Sequence, residues 1–73
     1  MIKEYATVRD FNLWEQKAKQ MSYAELHWTI KDCRDAAYAM KGWNPIREGY
    51  YLDQMHTYAN EVKRRALLAG IHL

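Results

Sequence analysis

Along three stretches of this chain apolar residues recur three and four positions apart, the rhythm of a helix that buries one side. In the first stretch Phe11, Trp14, Ala18 and Met21 keep this spacing and predict a helix over about 8–20. Its opposite side carries Arg9, Gln16 and Gln20, with Leu13 as an apolar residue out of place. In the second, Tyr23, Leu26, Ile30, Cys33, Ala37 and Met40 repeat the pattern over about 22–41. In the third, Leu52, Met55, Ala59, Val62, Ala66 and Ala69 repeat it over about 49–69.

The residues between the stripes fit helix ends. Ser22 and Glu25 have capping-box spacing, in which the hydroxyl accepts from the N–H of Glu25 and the carboxylate accepts from the N–H of Ser22. Gly42 and Gly70 stand where a left-handed residue closes a helix. Pro45 disfavours helical geometry at Asn44, and Gly49 is a second weak point. The connection is therefore expected at 42–48, with room for a short helical turn after Pro45. Ile71, His72 and Leu73 read as a frayed tail.

Two stripes of similar length joined by a short connection predict an antiparallel helical hairpin, with the N-terminal helix lying across it. Ala59, Ala66 and Ala69 are expected to let the two long helices approach closely. The fold class is all-α and the domain single, over 1–73, with no internal repeat or low-complexity linker.

Composition narrows the function. A chain of 73 residues buries only about 60% of its unfolded surface, so its core is thin. One cysteine, Cys33, allows no intrachain disulfide and fits a reducing compartment. Eleven basic and nine acidic side chains, mixed along the chain, give a net charge of +2. That balance suits neither a dedicated nucleic-acid binder nor a DNA mimic. No stretch approaches the roughly 18 apolar residues of a membrane span. The opening "MIKEYATVRD" is charged where an export signal needs an apolar core, so a cytoplasmic protein is expected.

Catalytic constellations are sparse. The single serine, Ser22, is taken as a cap, and Cys33 lies mid-stripe, where burial makes a thiol inert. Asp53 and His56 have the spacing of half a carboxylate-bridged metal site, but the other half is missing. His27 and Cys33 are too far around the helix to converge, and His56 reads as a boundary residue. The three glycines stand apart, so no phosphate-binding loop is formed. The expectation is a non-enzymatic protein with no cofactor and no metal.

Lys63, Arg64 and Arg65 close the third stripe. They either complement the helix macrodipole or grip phosphates, and nearby Glu48, Asp53 and Glu61 dilute the second option. A small nucleic-acid-binding protein using this patch is the alternative reading.

Large apolar groups off the stripes are the sharper signal. Trp28 lies nearly opposite Leu26, Ile30, Cys33 and Ala37, beside Lys31, Asp32 and Asp35. Tyr50 and Leu68 fall on the polar side of the third helix, and Tyr51 and Tyr58 edge its stripe. Two readings compete. In one, these residues close internal gaps, the first helix covers Trp28, and Trp43 plugs the hairpin end. In the other they form a contact surface, since Trp, Tyr and Arg are enriched at binding hot spots. That surface would use Trp28, Tyr50, Tyr51 and Tyr58 as anchors, with Arg64 and Arg65 as charged rim, for a host protein or a second copy.

The segments "AELHWTIKDCRDAA" and "GYYLDQMHTYANEVKRR", flanking an asparagine–proline loop, resemble a family of small tailed-bacteriophage proteins that carries no assigned activity. The resemblance covers residues 24–65, a little over half of the chain. It implies a phage accessory protein in the bacterial host cytoplasm, of a kind that inhibits or redirects a host protein by binding it.

Overall fold

The computed structural model describes residues 5–70. They form three helices and no strand: α1 (Val8–Gln20), α2 (Tyr23–Met40) and α3 (Pro45–Leu68). The expected tail at 71–73 and the opening residues 1–4 lie outside the described residues.

Each helix starts at a side-chain cap. Ser22 Oγ accepts from the N–H of Glu25 at 3.1 Å, and the Glu25 carboxylate accepts from the N–H of Ser22 at 3.0 Å. This backbone N–H, with the Ser22 hydroxyl, holds the Glu25 carboxyl below its ordinary range. A second capping box begins α1: Thr7 Oγ1 accepts from the N–H of Asp10, whose carboxylate accepts from the N–H of Thr7. The sequence signal was the Thr7-Val8-Arg9-Asp10 spacing, in which Asp stands where Glu or Gln is usual.

The start of α3 differs from the expected one. Asn44 is its N-cap, accepting from the N–H of Arg47 at 3.1 Å, and Pro45 occupies the first helical turn. Proline is well placed there because its missing N–H would have no intrahelical partner. The connection is thus shorter than 42–48, and Gly49 lies inside the helix. At the other end of α2, Gly42 adopts a φ of +89° and turns the chain out of the helix, as its position predicted. Gly70, at φ +75°, does the same after α3. Ala69 is the α3 C-cap and exposed, so it does not join the seam expected of it.

α2 and α3 form the antiparallel hairpin, and α1 packs chiefly on α3. At about 1.5 Å per residue, the 24 residues of α3 span roughly 36 Å, most of the molecule's 42 Å long axis. The core joins Trp14 and Ala18 of α1, Leu26 and Cys33 of α2, and Tyr58 of α3, with Ile30, Met55 and Val62 packed around them.

One helix therefore serves two neighbours. On α3, Tyr50, Thr57 and Glu61 lie on one side, Met55, Val62 and Ala66 lie on the other, and Tyr58 falls between them. The first side faces α1: Trp14 meets Tyr50 edge to face, with ring centroids 5.3 Å apart. What reads in sequence as the polar side of the third helix is the α1-docking side. Thr57 and Glu61 are accordingly buried, at 7% and 6% exposure.

Candidate functional site

The sequence-derived anchors separate into an inward group and an exposed one. Tyr58 is 2% exposed and belongs to the core, which corrects its expected place at a docking edge. Its hydroxyl accepts from Gln54 at 3.4 Å. Tyr50 is half-buried against Trp14, and Tyr51 packs edge to face on Tyr50. The Arg47 guanidinium lies over both tyrosine rings, 4.8 and 5.1 Å from their centroids, and donates to the Tyr51 hydroxyl at 3.1 Å. These three tyrosines make intramolecular contacts that a sequence stripe drawn for one neighbour could not register.

Arg65 is also turned inward. Its Nε donates to Glu61 at 2.7 Å, and Nη2 donates to the carbonyls of Ala18, Lys19 and Met21. Those carbonyls lie at the end of α1, where the helix runs short of backbone donors, although the Ala18 carbonyl also accepts from the Met21 N–H. The same guanidinium lies 5.3 Å from the Tyr23 ring centroid. One side chain thus ties the end of α1, the start of α2 and the body of α3. Arg64 makes a bidentate pair with Glu61, at 2.8 and 2.7 Å, from a half-exposed position. The two arginines hold the Glu61 carboxyl at a pKa of about 2 against its burial, Arg64 contributing most. Two of the three cations in the Lys63–Arg65 run are therefore engaged by an internal carboxylate.

Asp53 and His56, the metal half-motif, line an open groove of about 410 Å³ between α1 and α3. Glu15, Lys19, Asn60 and Arg64 also line it. Among the described residues no three His, Cys, Asp or Glu side chains are placed to hold a metal ion. Ser22 is a cap. Cys33 is buried, and that burial pushes its thiol pKa up, with the Asp32 charge adding to it. No described helix is long and apolar enough to cross a membrane.

Trp28 behaves differently. It is 69% exposed on the side of α2 away from α3, and α1 does not cover it. It borders a shallow, open recess of about 450 Å³ with Met21, Ala24, Glu25 and Thr29. Farther along α2, Tyr38 is 74% exposed with Lys41 over its ring. Trp43 is 70% exposed, so it does not plug the hairpin end. Its indole N–H donates to the Ala39 carbonyl at 2.7 Å and lays the ring back on the last turn of α2. Tyr38 was not among the sequence-derived candidates, although its spacing from Trp28 places both toward the outside of the helix.

No family model matches the chain, and no curated protein or solved structure matches it either.

Proposed function

We propose that this chain is a non-enzymatic binding protein that docks on another protein through the outer face of α2, with Trp28 as the anchor. The observation that carries this reading is the 69% exposure of Trp28 beside a recess lined mainly by apolar surface. Tryptophan over an apolar recess is the composition of an interface hot spot. The phage-family resemblance of residues 24–65 supplies the setting: an accessory protein in the bacterial host cytoplasm, acting on a host or phage protein to inhibit or redirect it.

The test is affinity capture from bacterial lysate with mass spectrometry, followed by titration of the captured protein. Trp28→Ala should weaken binding by about 2 kcal/mol, roughly 30-fold, without loss of helicity. Capture that is indifferent to Trp28→Ala, or no capture by a chain that also stays monomeric, would exclude the reading.

A further inference from the structure

Along the outer face of α2 lie Trp28, Lys31, Asp35 and Tyr38, on one side of the helix by their spacing of three, four and three residues. All four are open to solvent: Trp28 and Tyr38 are 69% and 74% exposed, and the side chains of Lys31 and Asp35 68% and 61%. Read along the chain, the series is aromatic, cation, anion, aromatic, and its midpoint falls at Cys33. An antiparallel copy presents the same series reversed. Trp28 then stands level with Tyr38 of the other copy, and Lys31 stands level with Asp35. A two-fold axis makes each of these contacts twice.

We propose that the occupant of this face is a second copy of the chain, forming an antiparallel α2–α2 dimer about a two-fold axis level with Cys33. The inference rests on reading the outer face of α2 as a protein-docking surface and names its partner. Charge complementarity selects the antiparallel arrangement, because a parallel copy in register would set Lys31 against Lys31 and Asp35 against Asp35. Within one chain Lys31 and Asp35 are 3.9 Å apart; an exposed pair of this kind is weak, so either partner can turn across the seam. Asp32 of each copy stands level with Arg34 of the other, on the solvent-exposed rims of the seam, where salt screens the attraction and leaves it a small addition. The contact strip is about 15 Å long, short of the roughly 800 Å² per partner of a standard interface. Association is therefore concentration-dependent.

Sedimentation equilibrium of the full chain tests this. The mass should rise from 8.8 kDa toward twice that value as concentration is raised to about 1 mM, the weak end of measurable affinity. Lys31→Asp places two acidic pairs across the seam, and Asp35→Lys places two basic ones. Each variant alone should stay monomeric with wild-type helicity, both positions being exposed. An equimolar mixture of the two restores both opposite-charge pairs and should recover the doubled mass. A wild type that is monomeric at about 1 mM, a single variant that dimerises as well as the wild type, or a mixture that stays monomeric would each overturn the dimer. Monomeric masses throughout, together with Trp28-dependent capture of a different protein, would overturn the dimer alone and leave the docking function standing.

Discussion

Glu61 and Arg65 show how much of this small molecule depends on single side chains. A buried carboxylate is costly unless its charge is met by well-placed donors, and removing one donor leaves that cost in place. Arg65 also supplies the α1 carbonyls, so Arg65→Met should destabilise the fold by about 3 kcal/mol in urea titrations. Arg64→Met takes the bidentate partner from the same buried carboxylate and should also destabilise the fold, by less than Arg65→Met because Arg65 alone reaches the α1 carbonyls as well. The acid response follows from the same carboxylate. Its pKa is about 2 in the folded chain against an ordinary 4.5. A group lowered on folding stabilises above its unfolded value and loses that contribution as pH falls toward its folded value. The urea midpoint should therefore drop between pH 4.5 and 2. Glu61→Gln should lie below wild type at pH 7 and draw closer to it across that window. A constant gap would show that Glu61 is not the titrating group. The sequence marks Lys63, Arg64 and Arg65 as a basic run complementing a helix end; it does not show that one of them crosses to α1.

At the scale of the element, local chemistry sets most boundaries. Ser22, Glu25, Gly42 and Gly70 act where their residue types suggest, because caps depend on neighbours within four positions. The start of α3 was displaced because Asn44 and Pro45 fit two roles, loop formers or a cap followed by a first-turn proline, and only the chain's path selects the second. Ser22→Ala should cost about 1 kcal/mol, read by thermal unfolding, as a lost N-cap. The glycines separate by backbone. Gly49 is helical, and a Cβ built there meets nothing within 4 Å. Gly49→Ala should thus stabilise the protein by about 0.5 to 1 kcal/mol. Gly42→Ala should destabilise it, since a φ of +89° strains any residue bearing a side chain.

For the whole molecule, Tyr58 is where the three helices meet, and it packs with Trp14, Ala18, Leu26 and Cys33. Native stability runs at roughly 0.05 to 0.15 kcal/mol per residue, so a 73-residue chain has little in reserve. Tyr58→Ala should cost about 3 to 5 kcal/mol and leave the chain largely unfolded by circular dichroism at 37 °C. The helical class, the three segments, the Ser22–Glu25 cap and the glycine ends were legible in sequence, because helical periodicity and capping are local properties; the caps at Thr7 and Asn44 emerged only with the structure. The exposure of Trp28 was legible as an alternative, because it lies opposite the stripe of its own helix. Which helix lies against α1 was not. That choice depends on α3 offering a second buried side through Tyr50, Thr57 and Glu61, two of them polar and one charged. Thr57 and Glu61 find their partners within their own helix, in the Asp53 carbonyl and the Arg64 and Arg65 guanidinium groups, so such a side looks the same in sequence whether water or α1 covers it. The sequence by itself determined where the chain is helical and where each helix stops. Tertiary structure decided that Tyr58 and Arg65 face inward while Trp28 faces out, because burial is settled by the element packed alongside.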